Sequence, residues 1–459
     1  LRLAAPTVLA MMSQSAVNEV DIVFFSRLPC PESSIAQAAL LPSLILLWAF
    51  GGSLSAISVG TQAITARRNA EGDLERAGGV LLNSWLFSTL ASLAFTVLAY
   101  FTLPLMLNVL IKVPEVRAAA DGYISWRIFG ITSMVVTFSF KAFFDAIGKT
   151  LVHMWSAFIM NVCNVFLCAA FIFGFWGAPR MGMAGAGLAA FASTWVGLAI
   201  MVIWALLPRY RKVYHPFALA KFEPKVVLSL LRLSVPSGIA TLAVMSGFAL
   251  FSMIVSHLDS ISGGHVAVAA EAGCGAQTQA ANSAATMVIV GILKLTITAC
   301  LAFGTATATL VSQSLGEGAP KKAEMFGWTS VKLGLLIFGA VGLLEGLIFP
   351  HQILEFVSQS EAVRAAAIGP FRLMAGCTPL IAVGMILTQA LFGAGNTLFV
   401  MVAELLLHFL CLVPLAWLLG ITFNLGLMGI WSAAAVYAAL LTSIMAWKFA
   451  KGDWQNIRI

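Results

Sequence analysis

Apolar residues run along the chain in twelve long blocks, separated by short clusters of charge, glycine and proline. The blocks lie near 4–27, 35–63, 78–107, 119–145, 151–175 and 182–207, then near 233–257, 284–312, 326–349, 368–392, 397–419 and 427–449. A helix crosses the bilayer core with about 20 mostly apolar residues, and each block is long enough to do so. None alternates polar and apolar positions as barrel strands do, which excludes a closed barrel. The pattern predicts an all-α polytopic membrane protein with twelve transmembrane helices.

Composition agrees. The 459 residues are 60% hydrophobic and 10% charged, with a mean hydropathy of +0.95, whereas soluble chains carry about 25% charged residues. A soluble globular protein, a disordered chain and a nucleic-acid binder are thereby ruled out. The net charge of +7 is read as the excess of Lys and Arg that marks cytoplasmic loops. If the amino terminus and the even-numbered loops share one side, that side holds most of the basic residues, including Arg67, Arg68, Arg76, Arg209, Arg211, Lys212, Lys321, Lys322, Lys448 and Lys451. Both termini and the connector from Leu207 to Arg232 are therefore expected in the cytoplasm. No cleavable signal peptide is visible, so the first block reads as a true span. The seven cysteines include no CxxC pair and no histidine stands at metal spacing, so neither a disulfide framework nor a metal site is implied.

The basic connector around PRYRKVYHPFALAKFEPK divides the chain into halves of six spans, 1–215 and 216–459, and the halves resemble each other. Arg2-Leu3-Ala4-Ala5-Pro6 answers Arg232-Leu233-Ser234-Val235-Pro236, and Asn69-Ala70-Glu71-Gly72 answers Leu315-Gly316-Glu317-Gly318. AFFDAIGKT at 142 answers ALFGAGNT at 390, and MGMAG at 181 answers LGLMG at 425. The second half is longer by sixteen residues, placed between Asp259 and about Thr305. Six spans separate the copies, so both insert the same way round. Two pseudo-symmetric six-helix lobes around a central cavity at the bilayer midplane are a transporter plan; duplication in a non-transporting scaffold or receptor is the rival. A membrane enzyme should cluster His, Asp, Glu or Cys at catalytic spacing. None is found, and no enzyme activity is expected.

Ionisable groups inside spans are functional candidates by default. Gln14, Asn18 and Asp21 stand at i, i+4 and i+7 on one face of the first span, where a carboxylate with neighbouring amides can hold a sodium ion or exchange a proton. The alternative is a structural carboxylate paired with Arg127. Glu19 points about 200° away from Asp21; a second protonatable group and a partner for Arg127 or Lys141 are both open to it. Asn161, Asn164 and Cys168 share a face of the fifth span. In the eleventh, Glu404 and His408 stand at i and i+4, with Gln389 of the tenth able to join them; a proton shuttle or cation site and a simple helix contact are the two readings.

Taken in order, several motifs resemble the multidrug and toxic compound extrusion family of secondary transporters over essentially the whole chain. They are Pro6 fifteen residues before Asp21, Asn161 and Asn164, GMAGAG at 182, TLVSQSLGEG at 309, and Pro379 followed by QALFGAGNT at 389. The resemblance implies an antiporter that exports small organic cations and drugs in exchange for protons or sodium, with no other cofactor. It supports Asp21 as the ion-coupling residue, and places the chain in a bacterial-type inner membrane, read here as a monomer. Pro6 is expected to be the hinge at which the first span bends. Where relatives with a fuller polar network carry an aspartate this chain has Cys168, and Ala190 stands where a threonine often sits. A site with fewer oxygen ligands favours a proton over sodium. Within the same wider superfamily, a lipid-linked oligosaccharide flippase is the alternative reading.

Overall fold

The computed structural model describes residues 3–29, 31–111, 113–218, 221–262, 265–268, 277–358, 360–457 and 459, with side chains at all of these but 16–19, 34, 41, 48, 49, 109, 262, 265–268 and 277–280. Among the described residues twelve helices are long and apolar enough to cross a membrane, and they fall on the twelve predicted blocks. They are α1 (Ala4–Ser26), α2 (Ile35–Ala70), α3 (Leu74–Asn108), α4 (Pro114–Ala146), α5 (Thr150–Phe173), α6 (Met183–Leu206), α7 (Pro224–Ile261), α8 (Ala281–Gly316), α9 (Pro320–Ile348), α10 (Glu361–Gly393), α11 (Thr397–Thr422) and α12 (Gly426–Lys451). Between α7 and α8, in the stretch assigned to the extra residues, lies a two-stranded antiparallel ribbon, β1 (His265–Val268) with β2 (Gln277–Ala280), His265 pairing with Ala280. It has no signature in the hydropathy pattern.

Three spans are not uniformly α-helical. In α2 a π turn, Trp48–Gly52, runs into a 3₁₀ turn, Ser53–Ala56. In α9 the last turn, Leu344–Ile348, is π. In α11 π turns at Leu407–Leu412 and Leu418–Thr422 flank a short α segment containing Pro414. Such widened turns gather at functional positions.

By its contacts the chain divides into a first compact unit, Leu1–Gly238, and a second drawn mainly from Ile239–Arg458. In the first unit α4 packs along α6 and α3, α5 along α1 and α6, and both parts of α2 against α4. Lipid is as apolar as leucine, so close packing and interhelical hydrogen bonds hold such helices together. One apolar cluster gathers Phe25, Tyr123, Ile128, Cys168, Ile172 and Met183 at one end of the bundle; another gathers Leu81, Phe140, Phe143, Met201 and Tyr210 at the other. Between α2, α3 and α4 runs a buried chain of hydroxyls: Thr61 Oγ1 lies 2.6 Å from Ser84 Oγ, Ser84 donates to Ser139 at 2.9 Å, and Ser88 lies 2.6 Å from Ser139. In the second unit α10 packs against α8, α9 and α12.

The repeated motifs prove to be joints. Gly148 and Gly395 both have positive φ, 73° and 86°, and close the same pattern: Lys149 N–H donates to the Phe144 carbonyl and Asn396 N–H to the Leu391 carbonyl. This is the glycine-terminated helix end. In the GMAGAG stretch Gly185 and Gly187 let α6 touch backbone, since a Cβ there would collide with the Phe171 and Tyr123 carbonyls respectively. Gly429, the counterpart of Gly185, meets the Leu419 backbone in the same way.

Candidate functional site

Asp21 is 6% exposed, four residues before Phe25 of the apolar cluster. The face of α5 predicted from Asn161, Asn164 and Cys168 is turned toward it: all three are buried. Cys168 Sγ lies 3.6 Å from Asp21 Oδ1 and 3.7 Å from Asn164 Oδ1. Asn164 Nδ2 donates to Ser193 Oγ of α6 at 3.2 Å, and Ser193 donates on to the Ala190 carbonyl. Two turns back, Asn161 Nδ2 donates to Ser13 Oγ at 2.9 Å. Spans one and five run in the same direction, so Ser13 and Asp21 on α1 meet Asn161 and Cys168 on α5 in parallel order.

Arg127 closes no salt bridge with Asp21 within 4 Å. Its guanidinium donates to the hydroxyl of the fully buried Tyr123 at 2.7 Å and lies 5.3 Å from that ring, while acting electrostatically on Asp21. A cavity of about 30 Å³ is lined by Arg127, Gly130, Ile131, Ala190 and Thr194, room for about one water. Ala190 thus leaves methyl where a threonine would set a hydroxyl.

The other expected residues divide. Gln14 is partly buried. The side chains of Asn18 and Glu19 lie outside the described residues; Lys141, offered as a partner for Glu19, sits 3.3 Å from Asp145. Pro6 is buried in the first turn of α1, whereas its counterpart Pro236 lies inside α7. Glu404 and His408 are both buried and adjacent, His408 Nδ1 standing 3.4 Å from Glu404 Oε2. Gln389 does not join them: its stem packs on Gly304 of α8, where a Cβ would come within 2.8 Å, so it serves the α8–α10 contact. Sequence reasoning missed Ser13, Ser193, Tyr123 and Tyr437. Tyr123 was within reach, four residues before Arg127 on one helix face; the others are partners across helices and leave no spacing to read.

A protein of twelve apolar helices, six to each half, with a buried carboxylate and amide cluster in the first unit, belongs to the class of polytopic membrane transporters. A profile of the MatE family matches residues 6–170 and 276–418. The chain belongs to that family, the multidrug and toxic compound extrusion transporters, and is integral to a membrane. It is 25% identical over 456 residues to a probable multidrug resistance protein NorM of Bradyrhizobium diazoefficiens, covering 96% of this chain and 91% of the other. It is 23% identical to the multidrug resistance protein MdtK of Pectobacterium atrosepticum, covering 92% and 87%. Among solved structures it shares the fold of a MOP superfamily transporter from Pyrococcus furiosus, with a TM-score of 0.86 at 20% identity over 100% of this chain and 96% of that one. An outward-facing multidrug resistance MATE family transporter gives a TM-score of 0.86 at 19% identity, with the same coverage.

Proposed function

We propose that this chain is a secondary antiporter that exports small organic cations and drugs in exchange for protons, taken up at Asp21. Family membership and the multidrug resistance names of its relatives support export of drugs. The observation that carries the coupling site is the burial of Asp21 against polar groups of α5, with no salt bridge to neutralise it. A carboxylate in an apolar interior is costly unless partnered or protonated, so its charge is the natural variable of the transport cycle. Cys168 places sulfur beside it, and hard cations such as sodium take oxygen ligands; a proton needs one basic oxygen. Monomeric action in the cell (inner) membrane, both termini cytoplasmic, completes the reading.

Purified protein in liposomes, loaded with ethidium, tests it. A proton gradient is expected to drive efflux and a sodium gradient to leave it unchanged, with Asp21→Asn falling to the passive leak rate. Proton-driven efflux retained in Asp21→Asn overturns the assignment. Efflux driven by sodium alone replaces the proton with sodium, and response to neither gradient turns attention to lipid-linked substrates.

A further inference from the structure

Away from Asp21, the second unit buries a carboxylate that the coupling site does not use. Glu404 of α11 is 7% exposed and His408, one turn on, is 3% exposed. Tyr437 of α12 donates its hydroxyl to Glu404 Oε2 at 2.9 Å, and its ring lies 4.6 Å from the His408 imidazole. His408 is seated by α7, since a Cβ at Gly247 would collide with its ring. The ring stands in the π turn Leu407–Leu412, and Glu404 in the α segment before it.

The hydrogen bonds fix where protons sit. His408 Nδ1 lies 2.9 Å from the Glu404 backbone carbonyl, which can only accept, so Nδ1 carries hydrogen in the neutral ring as well as the charged one. Oε2 of Glu404 takes the tyrosine hydroxyl and faces Nδ1 at 3.4 Å. Oε1 has no hydrogen-bond partner among the described residues. A further proton therefore has two places to go, Glu404 Oε1 and His408 Nε2. With one proton on the pair the net charge is zero, whether written as neutral acid and neutral imidazole or as an ion pair. Without it the pair carries a full negative charge in an apolar surrounding. The titratable group facing the pair is Tyr437 on α12, which is in turn acted on by Cys411 on the next turn of α11; α7 presents Gly247, and among the described residues no Lys, Arg, Asp or further Glu stands within ion-pair distance of either member. Among the described residues, the Tyr437 hydroxyl and the Nδ1–H of His408 ease that charge by hydrogen bonding and proximity, but only a proton neutralises it.

We infer that Glu404, His408 and Tyr437 form a second proton-binding site, in the second unit, that loads and releases a proton separately from Asp21. The step moves one proton between water and the pair, with no bond to carbon and no electron transfer. Its meaning for transport rests on the antiporter reading, but its existence does not.

pH-difference infrared spectroscopy of the purified protein reads carboxyl protonation without transport. The expected result is a protonated-carboxyl band that persists in Asp21→Asn, disappears in Glu404→Gln and shifts in frequency in Tyr437→Phe, where one hydrogen bond to the carboxyl is lost. Glu404→Gln keeps an acceptor for Tyr437, and its fold is checked by an unchanged melting temperature in detergent. Tyr437→Phe is the second probe should Glu404→Gln fail that check. Difference spectra of Glu404→Gln, or of Tyr437→Phe in its place, that superimpose on the wild-type spectrum overturn the proposal.

Discussion

The sulfur of Cys168, 3.6 Å from Asp21 and 3.7 Å from Asn164, links a carboxylate and an amide through a weak thiol contact. Stronger bonds hold the flanks. Tyr123→Phe removes the acceptor of Arg127 Nη1 and leaves a partly buried guanidinium short of one bond; the expected loss is about 1–3 kcal/mol, read as a lower melting temperature in detergent. Asn161→Leu should be milder, because Ser13 keeps the Ala10 carbonyl 2.8 Å away as its own acceptor; a loss of about 1 kcal/mol is expected in the same melt. What sequence could supply here was the acidic and amide members, since an ionisable or amide group in an apolar block stands out. Serine and tyrosine do not stand out in spans, where hydroxyls commonly return to their own helix, as Thr137 does to the Ser133 carbonyl. Gln389 failed for the complementary reason: chain position gives a helix face but not the distance to the next helix.

Glycine decides how closely the helices approach. Gly187→Ala sets a methyl into the Tyr123 carbonyl, which belongs to packed backbone and cannot swing aside. Such overpacking costs about 1–3 kcal/mol and should separate α6 from α4, lowering the melting temperature and weakening efflux together. Gly291→Ala in α8 is the control: nothing lies within 4 Å of its Cβ position, and replacing a helical glycine gains about 0.5–1 kcal/mol. Equal melting temperatures for the two variants would refute this account of the motif. The helix ends were legible because glycine at a repeated position followed by a polar residue, Lys149 or Asn396, is a local signal. The π turns of α2 and α11 were not, because hydropathy is the same whether a turn holds α or π bonds. The ribbon between α7 and α8 escaped for a related reason: the offset between the halves located extra residues but said nothing about their conformation.

For the molecule as a whole, the twelve spans were readable because a helix in lipid must satisfy its own backbone, which makes long apolar blocks unambiguous. Orientation is argued from charge alone and is open to a direct check. A fluorescent protein that folds only in the cytoplasm, fused after Ile459, is expected to fluoresce, and alkaline phosphatase at the same point to stay inactive; the reverse pattern inverts the assignment. The halves repeat their joints without repeating their chemistry, with Asp21 answered by Phe251. One interior feature also bears on how such a chain can change over generations. In the hydroxyl chain of Thr61, Ser84, Ser139 and Ser88, each group is the partner of another. Loss of a central member takes one bond from each neighbour, although Thr61 and Ser88 keep the Ile57 and Ser84 carbonyls as acceptors, whereas joint replacement by apolar residues of matching shape can be nearly neutral. Single inherited steps therefore run uphill between two workable cores, so the motif acts as a ratchet: descendants keep the set intact because the path out of it passes through less stable proteins.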